Sequence, residues 1–176
     1  MNEWLQCAGC EAKLHFPQGV HAYVRGDVPS PLEDLRQLQE WVAVPTRHGW
    51  CKNCAAPTFG ERVPTATELM AAAAVIRDRD NQPYIEDNLV RLRLEDIRLL
   101  FEGLGNRGTA ARCLMCGGVD WFILEIDERG WISPNLRHSE CGEQFQHHML
   151  IGGCNGITGL RLYSFDGALI AEGVTR

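Results

Sequence analysis

The chain has 176 residues, 45% of them hydrophobic, which is enough for one domain or two small ones with a buried core and argues against a disordered chain. Seventeen Lys and Arg against twenty-three Asp and Glu give a formal charge of −6 with no long block of like charge, a balance that disfavours a phosphate backbone as partner. No apolar run approaches the roughly 18–20 residues that cross a bilayer, and Met1-Asn2-Glu3-Trp4 lacks the basic and apolar regions of a signal peptide, so a cytoplasmic location is expected. In that reducing compartment eight cysteines, six of them in Cys-x-x-Cys pairs, point to metal and not to disulfides.

The first such pair is Cys7-Ala-Gly-Cys10, and the apolar and aromatic residues from Leu14 to Val24 suit one or two short strands. Ser30-Pro31-Leu32-Glu33 combines an N-cap, a proline at the first helical position and a capping-box glutamate. Leu32, Leu35, Leu38 and Val42 then recur at helical spacing, and Pro45 ends the pattern, so a helix is expected there as an insertion before the second pair, Cys51-Lys-Asn-Cys54. Thr65-Ala-Thr-Glu68 is another capping box and opens a helix through the alanine-rich run to Ile76. After a break at Asp78 to Pro83, a third helix is expected from Ile85 to Leu104, with Val90, Leu94, Ile97, Phe101 and Leu104 on its core face. Leu92 and Leu99 widen that face, while Arg91, Glu95, Arg98 and Glu102 form an ion-paired opposite face.

From Gly108 onward the pattern is β. Cys113-Leu-Met-Cys116-Gly117 precedes a strand over Val119 to Ile126, which turns at Asp127 to Gly130 and returns at Trp131-Ile132. His138-Ser-Glu-Cys141-Gly142 follows, then a strand over Gln144 to Ile151. Two last strands, Leu160 to Phe165 and Ala168 to Glu172, flank Asp166-Gly167, a hairpin dipeptide.

A Cys-x-x-Cys-Gly turn aims both sulfurs into one small volume, and the glycine lets the backbone reach φ > 0 behind them. His138-x-x-Cys141-Gly142 repeats the spacing with an imidazole in the first place. The expected ligands are therefore two sets of four: Cys7, Cys10, Cys51 and Cys54 in one, Cys113, Cys116, His138 and Cys141 in the other, holding two zinc ions. Glu11 and Ala55 stand where the first two turns lack glycine, which weakens the first set. Thiolates also hold iron, which keeps that metal as the competitor. Cys154, in a glycine-rich stretch, is an alternative to His138. His147 and His148 are further candidates, though a strand end with their side chains on opposite faces is the expected place for them, and His15, His21 and His48 are expected as ordinary histidines without a spacing partner.

These turns resemble the zinc-ribbon class, in which two knuckles at the ends of short antiparallel strands enclose one zinc ion. The match is good over 113–151 and weaker over 7–59. What the resemblance implies is an α+β fold of two zinc-ribbon-like modules, 1–63 and 108–176, joined by a helical segment, 64–107. No histidine directly follows a Cys-x-x-Cys, as haem attachment requires, and no His-x-Glu precedes a Pro-Cys-x-x-Cys, as a deaminase requires. A redox Cys-x-x-Cys needs a βαβ context that is missing. Closed four-ligand shells leave no vacancy for water, and no triad or carboxylate pair stands out, so no enzyme is expected. The expected role is protein–protein interaction of the inhibitor, adaptor or toxin-immunity type, with a basic toxin as one partner. The alternative is a nucleic-acid-binding ribbon using Arg107, Arg112, Arg129 and Arg137 with Trp121, Phe122 and Trp131.

Overall fold

The computed structural model of the protein describes residues 2–30, 35–77, 93–105, 107–134, 136–150 and 158–175. Among the described residues the fold is α+β and mostly strand, with twelve strands in four small sheets and two α-helices. Contacts divide the chain into two compact units of three segments each: Met1–Gly19, Thr46–Glu61 and Arg112–Ile157 in the first, Val20–Pro45, Arg62–Ala111 and Thr158–Arg176 in the second. All eight residues expected as ligands fall in the first unit, and both helices in the second.

In the first unit, strand β1 (Asn2–Cys7) lies between β2 (Lys13–His15) and β10 (Phe145–Leu150), antiparallel to both. The period of two puts Leu5 and Cys7 on the same face, buried, with Phe145 directly across the ladder from Cys7. A second sheet has the order β6-β5-β7, formed by β5 (Thr46–Cys51), β6 (Ala56–Glu61) and β7 (Trp121–Ile123). Gly49 and Gly60 make room for Trp121; a Cβ at Gly49 would lie 2.6 Å from its ring. The strand expected over 119–126 is split: its first part, β7, pairs with β5, and only β8 (Glu125–Ile126) forms the expected hairpin with β9 (Ile132–Ser133), closed by Asp127, whose carboxylate accepts the N–H groups of Arg129 and Trp131. Leu5, Phe16, Leu124, Ile132 and Phe145 fill the core of this unit, with Trp50, Phe59 and Phe122 packed against them.

The second unit is built on a sheet of order β12-β11-β3-β4, comprising β3 (Gly19–Arg25), β4 (Glu40–Ala43), β11 (Thr158–Tyr163) and β12 (Leu169–Thr175). The Asp166-Gly167 turn forms as expected, with Gly167 at φ +87. The helix expected to open at Ser30 does not run through the described part of that segment: Leu35–Gln37 make one 3-10 turn, and Glu40–Ala43 pair with β3 instead. Positions 31–34 lie outside the described residues. Leu38 and Val42 are still buried, but Trp41 and Val42 are good strand formers and the edge of β3 offers them a full ladder, which outweighs a helical spacing of four leucine and valine positions.

Helix α1 (Ala66–Arg77) has the expected start, and helix α2 (Leu94–Leu104) covers the described part of the third expected helix; the break at 78–83 and positions 85–92 lie outside the described residues. Its buried stripe is Ile97, Leu99, Leu100 and Leu104, whereas Leu94 and Phe101, expected inside, are exposed. Half-exposed ion pairs flank the contact with the sheet: Arg98 with Glu102 at 3.0 Å and with Glu40 of β4 at 3.6 Å, and Glu102 with Arg25 of β3 at 3.0 Å.

Candidate metal centres

The structure gathers the eight expected residues into two groups that could hold metal ions, and pairs them differently from the expectation. Cys7 and Cys10 meet His138 and Cys141, and Cys51 and Cys54 meet Cys113 and Cys116. Within each group all donor atoms lie within 4.8 Å of one another. The small hairpin of β8 and β9 does form, but the two knuckles flanking it belong to different centres. Backbone pairing decides this. The ladder of β1 with β10 carries Cys7 to Phe145 and, through the N–H of Ala8 on the carbonyl of Gln144 at 2.9 Å, to the 138–142 turn. The ladder of β5 with β7 sets Cys51 opposite Trp121, while Cys113 bridges Gly60 of β6.

In the first centre Cys7 Sγ lies 3.3 Å from Cys141 Sγ, His138 Nδ1 lies 3.2 Å from Cys10 Sγ and 3.3 Å from Cys141 Sγ, and the Cys10 and Cys141 sulfurs are 3.7 Å apart. In the second, Cys51 and Cys116 sulfurs are 3.6 Å apart and those of Cys54 and Cys113 4.0 Å. A tetrahedral ion at ordinary Zn–N and Zn–S distances separates its ligands by roughly 3.3–3.8 Å. The donors are thus spaced for an ion at the middle. Cys154 lies outside the described residues.

In three of the four turns the N–H four residues beyond the first ligand closes back on its carbonyl: Glu11 N–H to Cys7 O at 3.1 Å, Gly117 N–H to Cys113 O and Gly142 N–H to His138 O, both at 2.8 Å; in the remaining turn Ala55 N–H reaches Lys52 O at 3.2 Å instead. The residue after the second ligand is left-handed in each, with φ +59 at Glu11, +48 at Ala55, +71 at Gly117 and +74 at Gly142. The non-glycine residues therefore do not prevent the turn; they hold it at a cost in backbone strain. Amides face sulfur as expected, with the N–H of Met115 and of Gly118 each 3.4 Å from Cys113 Sγ and Cys116 Sγ respectively.

Crowded thiols resist ionising together. Burial first, then the neighbouring Cys116 and Cys51, pushes the Cys54 thiol well up, and burial pushes Cys51 up as well. One thiol in each centre is eased the other way. The amide of Cys10 leads in drawing Cys7 down to about 7, and for Cys113 burial is outweighed by the Thr58 hydroxyl at 3.2 Å and the amides of Cys116 and Met115, again to about 7. A divalent cation relieves the repulsion among the rest, so metal uptake must release protons.

The sequence missed a third group. Glu3, His48 and His147, from β1, β5 and β10, also place their donor atoms within 4.8 Å of one another. His147 does lie on the opposite face from His148, which stacks on Trp4 with ring centroids 5.6 Å apart. No spacing in the chain announces this group, since its members come from three distant strands.

No family model matches the chain, and neither a curated protein nor a solved structure matches it.

Proposed function

We propose that the protein is a non-enzymatic zinc-binding scaffold that acts by binding another protein. The observation that supports the zinc part of the reading is the pair of four-donor groups, one of three sulfurs and a nitrogen and one of four sulfurs, each within 4.8 Å. Thiolate and imidazole donors in a tetrahedral set favour zinc over harder cations, and four protein ligands close the shell, which is the structural type. Both centres stiffen the first unit by joining strands that are far apart in sequence.

Partner choice rests on charge and surface. The net charge of −6 favours a basic partner, a nuclease-like toxin being one such class, because complementary potentials speed capture. Met115, Val119 and Ile123, around the second centre, are exposed apolar side chains of the kind that anchor a protein contact. Arginines offered for the nucleic-acid alternative have local work: Arg137 donates to the carbonyl of Gly142 at 2.8 Å, and Arg107 to Thr109 at 2.7 Å and to the carbonyl of Ala110 at 3.2 Å.

Two measurements test this. Elemental analysis of purified protein should give zinc in both centres with all ligand thiols protected; iron in their place, or freely reactive Cys7 and Cys51, refutes the zinc assignment. Titration of fluorescent single-stranded and duplex oligonucleotides at about 50 mM salt, a condition that exaggerates phosphate contacts, should show no micromolar binding. Binding there with a steep salt dependence would replace the protein partner by nucleic acid.

A further inference from the structure

We propose that Glu3, His48 and His147 form a third metal site, which takes a divalent ion of the zinc class through three protein ligands and leaves one coordination position open. This goes beyond the two closed centres and does not depend on their metal.

The geometry is convergent. Glu3 Oε2 lies 2.5 Å from His48 Nε2 and 3.1 Å from His147 Nε2, so both imidazoles present the same nitrogen to one carboxylate oxygen. A tetrahedral ion about 2.0–2.2 Å from N and O donors spaces them by roughly 3.3–3.4 Å. His147 at 3.1 Å needs to retreat by a few tenths of an ångström, and His48 by less than an ångström.

The strands hold these side chains in place. Glu3 sits opposite Met149 and His147 opposite Leu5 in the ladder of β1 with β10, which makes Glu3 and His147 diagonal neighbours on the face that carries Leu5 and Cys7. His48 reaches the same point from β5. Phe16 and Phe59 fix the rings: Phe16 meets His48 edge-on at 5.1 Å and His147 at 6.0 Å, and Phe59 lies 5.4 Å from His48. An apolar wall of this kind strengthens the attraction between an ion and the carboxylate.

Access comes from one side: the Glu3 and His147 side chains are 11% and 13% exposed, whereas His48 is 33% exposed. Two histidines and a glutamate are the donor set of three-ligand zinc sites whose fourth position holds water, in contrast to the closed shells of the cysteine centres.

The test starts from protein carrying its cysteine-centre ions and adds zinc chloride at neutral pH in a calorimeter, with elemental analysis after desalting. The wild type should take up one further equivalent with micromolar or tighter affinity, and the Nε2 resonances of His48 and His147 should move on addition. His147→Ala should abolish that uptake. Glu3→Gln, which keeps the shape and a hydrogen-bonding oxygen, should weaken it at least about tenfold. Thiol titration counts the cysteine centres separately in every variant and guards against misfolding. Absence of a further equivalent in the wild type, or uptake unchanged in Glu3→Gln, overturns the proposal and leaves the trio as a hydrogen-bonded cross-link. Reactive thiols alongside an intact extra equivalent would instead overturn the reading of the cysteine centres while supporting this one.

Discussion

Ala55 and Glu11 occupy left-handed backbone that an L-residue enters at a cost of about 1–2 kcal/mol, against a glycine's extra unfolded-state entropy of about 0.5–1 kcal/mol. Ala55→Gly should therefore stabilise the metal-loaded protein by about 0.5–1 kcal/mol, read as a higher urea midpoint at unchanged slope; an unchanged or lower midpoint would show that the turn is not strained. His21 of the second unit carries a different consequence. Burial, helped by the Arg161 charge, lowers it from 6.5 to about 4. The unfolded chain then binds the proton more readily than the folded one, so this contribution is full above about pH 6.5 and is lost as pH falls toward 4. Replacing His21 by Gln, which cannot titrate, should flatten the pH dependence of stability in that window. The sequence left His21 as an ordinary histidine because burial is a property of the sheet it joins, not of its neighbours in the chain. The eight cysteine-centre residues were legible for the opposite reason: a ligand, two spacers and a second ligand are a local instruction.

Helix α1 shows what a local signal fixes completely. Thr65 Oγ1 lies 3.2 Å from the Glu68 N–H it caps, and Glu68 Oε2 accepts the Thr65 N–H at 2.7 Å. That backbone contact leads in holding the Glu68 carboxyl down at about 2, followed by Arg62 at 2.9 Å. Thr65→Ala should cost about 1 kcal/mol, seen as lost helical circular dichroism on mild heating; no loss would mean packing alone holds the helix start. Acid should loosen the same turn as pH falls below about 4.5 toward 2, the range over which the Glu68 carboxylate is protonated in the unfolded and then the folded chain. The 35–43 segment is the counterexample. Its leucine and valine spacing fits a helix, but the edge of β3 is a partner far away in the sequence, and the strand it recruits keeps Leu38 and Val42 buried by another route. In α2 the apolar spacing found the helix but not its rotation, because the covered face is set by packing on α1 and β4, which the spacing does not encode.

At the scale of the molecule, the choice of which knuckle joins which was not legible, since all four turns carry interchangeable chemistry and only the strand ladders distinguish them. Stripping the ions with a strong chelator should abolish hydrogen-exchange protection in β5 and β6, whose hairpin carries Cys51 and Cys54 at its tip, and re-adding zinc should restore it. Protection that survives chelation would mean that the apolar core suffices. The pairing also sets an order of assembly. Ligands of the inner centre are 59 residues apart at Cys54 and Cys113, those of the outer centre 128 apart at Cys10 and His138, and the inner loop lies wholly within the outer one. Closing a loop twice as long costs about 0.6 kcal/mol more entropy, and once the inner clasp is shut the outer chain ends have less slack left to search. The first ion to arrive during folding should therefore settle between Cys51, Cys54, Cys113 and Cys116, and a chain cut short before His138 could still capture it.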